Sequence, residues 1–143
     1  ELLTSIQEGR KIIVVVLDNA GFHCIDNLQN SQGIVHYGNE WRRREDETGR
    51  LTGAPLSVDY ALNAQSWGAV GLRADTIEEL EQAVKQALQE KVSTLIHCHV
   101  APKSMTKGYE SWWRVGTAEV SNNPKVVEAW TELQSEIAKT RQF

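Results

Sequence analysis

Cysteine is almost absent from this sequence: two residues, Cys24 and Cys98, in 143. Two thiols cannot make a disulfide framework, so a reducing, cytoplasmic setting is the expectation. Long hydrophobic runs are missing as well. No apolar stretch approaches the roughly 18 residues of a membrane span, and nothing at the start has the layout of a signal peptide. Nor is there an excess of positive charge. Fifteen Lys and Arg stand against 19 Asp and Glu, a net charge of −4. Without a basic field, nucleic acid is excluded as an expected partner. Arg42, Arg43 and Arg44 are followed at once by Glu45, Asp46 and Glu47, so their charges cancel and the run reads as a solvated loop.

What is present is ordinary for a globular chain: 41% hydrophobic and 24% charged residues. A chain of this length makes one domain and buries roughly 68–70% of its unfolded surface. "ELLTSIQEG" reads as the tail of a helix, with Leu2, Leu3 and Ile6 on one face and Gly9 as its stop. A helix that begins without a cap suggests a fragment of something longer. Lys11–Leu17 is a β-branched run without alternation, which predicts a strand buried on both faces, as in a parallel sheet. A short helix is expected from Phe22 to about Asn30. Residues 31–55 show no periodicity, and glycines 33, 38, 49 and 53 recur among charges. A loop of that length is usually functional or mobile.

Further along, Asp59–Trp67 reads as a helix capped by Asp59 or Ser57 and stopped by Gly68. Ala69–Leu72 reads as a strand. Asp75 or Thr76 then caps a strong helix, with Glu78 or Glu79 in the capping-box position. Its expected inner face is Ile77, Leu80, Val84, Ala87 and Leu88. Val92–Val100 is the next strand. Asn123-Pro124 opens the last helix, with Val127, Trp130, Leu133 and Ile137 as its inner stripe. Helices and strands alternate, so the expectation is an α/β fold with a mainly parallel sheet. In such sheets ligands bind beyond the carboxyl ends of the strands.

One of those ends is unusual. "IIVVVLDNAGFHCIDNLQ", Ile12 to Gln29, runs six apolar residues into Asp18, Asn19, Ala20 and Gly21, then into a helix. A helix N-terminus offers free N–H groups and a favourable dipole to phosphate. Asn19 adds a neutral oxygen, and Gly21 lets its carbonyl approach a bound group with no Cβ in the way. Oxygen ligands beside a diphosphate suit Mg²⁺. The alternative is that Asp18-Asn19 simply caps the following helix.

"VVVLDNAGF" resembles the second half of the fingerprint of thiamine-diphosphate enzymes, where an apolar strand ends in Asn-Asn. The segments "VDYALNAQSWGA" and "VSTLIHCHVAPKSMTKGYESWWRVGTAEVS" narrow the resemblance to the cyclic-dione hydrolases of myo-inositol catabolism, relatives of acetolactate synthase. The resemblance covers nearly the whole chain, and "GYESWWRVG", Gly108 to Gly116, is its most specific part. It implies a three-layer α/β sandwich, the C-terminal part of a diphosphate-binding domain, extending over residues 1–143. It places the side-chain ligand of Mg²⁺ on Asn19 and the carbonyl ligand on Gly21, with Asp18 where the family has its first Asn. The backbone at Phe22 and His23 would lie near the diphosphate. The family's Gly-Asp-Gly, which supplies the other metal ligand, occurs nowhere in the sequence, and the cofactor-activating glutamate of the pyrimidine-binding domain is absent too. No catalytic residue is therefore assigned, and this piece alone is expected to be inactive. The reaction implied for the intact enzyme is hydrolytic cleavage of a carbon–carbon bond in a cyclic 1,2-dione, opening it to a deoxyglucuronic acid. The missing upstream strand should sit at the centre of the sheet. Its loss would expose an edge prone to self-association, so a homodimer or larger homo-oligomer is expected.

Other features carry weaker signals. His97 and His99 share one face of a strand, with Cys98 on the other. Two histidines at that spacing can bind a transition metal, but no third ligand stands at a known spacing, and polar residues at a strand end near solvent are the expected reading. His23-Cys24 reads as a loop histidine beside a core cysteine. Tyr109, Trp112, Trp113 and Arg114 suit either an interface or a loop folded onto its own domain. Two further functions stay open: a carboligase or decarboxylase of the acetolactate-synthase type, and an α/β binding module without catalysis.

Overall fold

The structure, a computed structural model, describes residues 1–34, 38–102 and 116–140. The described chain divides into two compact units. The first comprises residues 1–20 and 57–102, the second residues 21–56 and 103–143.

The first unit holds the sheet. Its strands are β1 (Ile13–Asp18), β2 (Val70–Arg73) and β3 (Thr94–His99), all parallel in the order β1-β3-β2. The expected α/β class and parallel sheet are both present. β3 is central, and Thr94 to Cys98 are all buried. Side chains of β3 alternate between two clusters, as a strand requires. Ile96 and Cys98 join Ala74, Ala83 and Ala87 beneath α4 (Ile77–Gln89). Leu95 joins Leu2 of α1 (Leu2–Gln7), Ala64 of α3 (Tyr60–Ser66) and Ala69, just before β2. Helices thus cover both faces, giving the three layers expected.

Two expectations about burial change. The unbroken run in β1 predicts burial on both faces, yet Val15 is 44% and Leu17 64% exposed. The reason is lateral. α4 packs against β2 and β3, so the matching face of β1 beyond Ile13 lies open. β1 is also an edge strand of the described sheet. The inner face of α4 is also narrower than its pattern suggests. Ala83 and Ala87 are buried and Leu80 and Val84 pack beside them, whereas Ile77 and Leu88 are exposed. Small residues at the contact let the helix sit close to the sheet, and larger residues at its ends overhang.

Local signals set the helix ends. Thr76 accepts a hydrogen bond from Glu79 N–H and the Glu79 carboxylate accepts one from Thr76 N–H, so the capping box falls on this pair. Asp59 caps α3 by accepting from Leu62 N–H at 3.0 Å, and its carboxyl is held below the ordinary carboxylate value chiefly by that bond. Gly9 and Gly68 follow their helices at φ 60° and 86°, where glycine alone is unstrained. Thr76→Ala is expected to destabilise the protein by about 1 kcal/mol, read as a lower urea midpoint at unchanged slope.

The second unit contains α2 (His23–Ser31) and α5 (Pro124–Lys139). Asn123 caps α5 by accepting from Lys125 N–H, and its amide donates to Gly33 O at 2.9 Å. Gly33 sits at φ 79°, and a Cβ there would lie 2.6 Å from the carbonyl carbon of Lys125. The first turn of α5 therefore rests directly on Gly33, and Val126 is its buried residue. Of the expected stripe, Val127 and Ile137 are exposed and Trp130 and Leu133 half-buried. Residues 41–56 form a hairpin-like fold: Arg43 N–H donates to Ala54 O, Gly53 N–H to Arg43 O and Leu56 N–H to Trp41 O. That pairing of distant residues has no periodic signature. Residues 103–115, which include Tyr109, Trp112, Trp113 and Arg114, lie outside the described residues.

Candidate functional site

The carboxyl end of the sheet gathers the polar residues of the first unit. Asp18 ends β1 and is the register partner of His99 in β3. Its Oδ1 accepts from Ala20 N–H at 2.8 Å, and Ala20 stands at φ 61°. A non-glycine residue there is uncommon, and the Asp18 carboxylate holds the turn by a bond to the backbone two residues on. The other oxygen, Oδ2, accepts from His97 Nε2–H at 3.0 Å.

His97 is not the solvent-facing residue the sequence suggests. It is 1% exposed, wedged between Asp18 and the ring of Tyr60, which meets it edge-on at 5.2 Å. Its Nδ1 is buried without a hydrogen-bond partner among the described residues. β3 is flanked by strands on both edges, so even its penultimate inward side chain is covered. His99, half exposed, places its ring 4.4 Å from that of His97 and shares Nδ1 with Asp75 Oδ1 at 2.7 Å. The His99 hydrogen bond keeps the Asp75 carboxyl below its ordinary range. Burial pushes the Cys98 thiol up, so it stays protonated on the opposite face.

Asn19 follows Asp18 in the same unit. No hydrogen bond of its side chain occurs among the described residues, so its amide oxygen is uncommitted while Asp18 is fully engaged.

Gly21, Phe22 and His23 belong to the second unit. Gly21 forms an antiparallel bridge with Glu40. A Cβ at Gly21 would collide with Asn39 O and come within 3.0 Å of Glu40 Cα. Glycine is thus required by the neighbouring backbone, a different reason from access to a bound group. Phe22 precedes α2 and packs its ring edge-on against Trp41 at 5.1 Å. His23 and Cys24 reverse the expected burial: His23 is buried and Cys24 exposed. At the start of α2 the imidazole turns inward toward Asp26, one helical turn on, and Glu40. One ligand atom of each of these three lies within 4.8 Å of the others. At the start of α2 the Phe22 N–H donates to Asn39 O at 2.6 Å, and the Ile25 and Asp26 N–H groups donate to Phe22 O at 3.0 Å, which leaves the N–H groups of His23 and Cys24 without a backbone acceptor among the described residues. The sequence reading missed the Asp18–His97 and His23–Glu40 associations. The first joins residues 79 apart and depends on strand register, which no local pattern encodes.

The model of the thiamine pyrophosphate enzyme family's C-terminal TPP binding domain matches residues 1–98. Over all 143 residues the chain is 45% identical to 3D-(3,5/4)-trihydroxycyclohexane-1,2-dione hydrolase of Clostridium tetani and 46% identical to 3D-(3,5/4)-trihydroxycyclohexane-1,2-dione hydrolase 2 of Bacillus cereus. A Clostridium botulinum protein of the same name is 46% identical over the same span. The chain covers 22% of the length of each of these relatives.

Proposed function

The chain belongs to the thiamine pyrophosphate enzymes, as part of their C-terminal TPP binding domain, and on that premise we propose that it serves a hydrolase acting on trihydroxycyclohexane-1,2-dione. Its role is to hold the diphosphate end of thiamine diphosphate through Mg²⁺, within a longer protein that opens the ring of the dione. The observation that carries the reading is similarity over all 143 residues to about a fifth of three relatives bearing that name, set beside an Asp-Asn turn at the carboxyl end of a parallel strand.

The residues fit the group. The uncommitted amide of Asn19 and the carbonyl of Gly21 are hard oxygen donors, the kind Mg²⁺ takes. Asp18 fixes the turn that presents Asn19, by bonding the backbone on one side and His97 on the other. The N–H of His23 opens α2, where a phosphate charge is favoured, beside Phe22, whose own N–H donates to Asn39 O at 2.6 Å. Bound thiamine diphosphate supplies the nucleophilic carbon and electron sink that breaking a carbon–carbon bond needs. This chain's share is binding and orientation; the groups that activate the cofactor belong to the rest of the protein.

The test is an assay of the full-length protein on the cyclic dione and on pyruvate. Ring opening of the dione without turnover of pyruvate supports the reading. Turnover of pyruvate alone would replace it with the acetolactate-synthase type, and inactivity on both, with no cofactor bound, would leave an α/β binding module. A cytoplasmic location and a homodimer or larger assembly complete the proposal. Exposed Val15 and Leu17 on an edge strand support self-association. Sedimentation is expected to give at least a dimer; a clean monomer overturns that part.

A further inference from the structure

We propose that Asp18, His97 and His99 form a second metal site, for a transition-metal dication of the zinc or cobalt class. It is chemically distinct from the all-oxygen Mg²⁺ ligands proposed at Asn19 and Gly21. The third ligand that the sequence withholds from the two histidines is supplied by strand pairing. The two-residue period of β3 puts His97 and His99 on one face, and the parallel register sets Asp18 opposite His99. One ligand atom of each of the three lies within 4.8 Å of the others; His97 Nε2 is 3.0 Å from Asp18 Oδ2, and the ion takes the place of the proton between them, the imidazole N–H passing to the unpartnered Nδ1. Ligand atoms around a tetrahedral zinc ion stand about 3.4 Å apart, from bond lengths near 2.1 Å. Closing this set onto an ion needs side-chain shifts of the order of 1 Å, with the strands unmoved.

Three further features match a metal centre. His97 is immobilised: it is 1% exposed and held edge-on by Tyr60. His99 gives Nδ1 to the anionic Asp75 at 2.7 Å, which leaves Nε2 as its ligand atom. A carboxylate on the far nitrogen is the outer support that metal-bound imidazoles commonly have, fixing the tautomer and raising basicity. The half-exposed side of His99 leaves a way in for the ion and a fourth position for water. Two imidazoles and one carboxylate select zinc, cobalt, nickel or ferrous iron over magnesium. An ion there pins the end of β1 to β3, immediately before Asn19.

Cobalt(II) titration of the chain, followed by visible d–d absorption, tests the site directly. One equivalent should bind, be displaced by zinc, and resist millimolar magnesium. His99→Ala, at an exposed position that folding tolerates, should weaken binding by at least about 100-fold, and Asp75→Asn by about 10–100-fold. Asn19→Ala should leave cobalt affinity unchanged, with circular dichroism confirming that every variant is folded. Absence of a saturable absorption change overturns the proposal. So does cobalt binding that survives His99→Ala, or that is lost in Asn19→Ala, since the ion would then occupy other ligands.

Discussion

Asn19→Ala is expected to abolish binding of thiamine diphosphate with Mg²⁺ to the protein extended upstream to the length of its relatives. The alanine removes the one side-chain metal ligand proposed in this chain while leaving the turn intact. The turn survives because it is held by Asp18, whose two oxygens bond Ala20 N–H and His97 Nε2–H, and Asn19 takes no part in those bonds. Losing outer-shell support alone costs 10–100-fold in metal affinity. Loss of a direct ligand should therefore exceed about 100-fold. Isothermal titration of the cofactor with Mg²⁺ reads it, on the parent and the variant, with thermal unfolding in parallel. The unfolding midpoint without cofactor should not move. Unchanged affinity in Asn19→Ala would remove the proposed ligand set. A lowered midpoint would instead make Asn19 a structural residue of the turn. The same titration on residues 1–143 alone is expected to show no binding.

Gly71→Ala is expected to be the most damaging single change in the first unit. An ideal Cβ at Gly71 would lie 2.7 Å from the carbonyl carbon and 3.0 Å from Cα of Ala61, with the carbonyl oxygen closer still. These are backbone atoms of α3, which cannot turn aside as a side-chain tip would. α3 must therefore lift from the sheet, opening the cluster of Leu2, Ala64, Ala69 and Leu95. Overpacking a core costs about 1–3 kcal/mol where neighbours yield, and backbone against backbone puts this case at the upper end or beyond. For a protein of this size that corresponds to a fall in Tm of roughly 10 °C. Gly116→Ala, with nothing within 4 Å, is the matched control and should be neutral. A Gly71→Ala variant as stable as that control would show that α3 does not seat on β2 in this way.

Much of the fold was legible because its signals are local. Asn123-Pro124, Thr76 with Glu79, and glycines 9 and 68 mark helix ends through bonds and dihedrals spanning only a few residues. Burial was less legible. The β-branched run of β1 and the wide apolar stripe of α4 both overstate what is covered, because the extent of a helix over a sheet is a matter of lateral position. The candidate site divides the same way. The order Asp18-Asn19-Ala20-Gly21, on which the proposed ligands rest, was legible in the chain. The partners of Asp18, the burial of His97 and the reason for glycine at position 21 were not.

The sequence by itself determined an alternation of helices and strands, the position of the Asp-Asn-Ala-Gly turn after a parallel strand, and membership in a cofactor-binding family. Each of these rests on periodicity, capping or motif order within a short window. Only the tertiary structure decided that Asp18 bonds His97 across 79 residues, that His97 and His99 acquire a carboxylate between them and the turn, and that one side of β1 stays open. Those outcomes depend on strand register and on which helix covers which strand, and free energies of that kind are set by packing between distant segments.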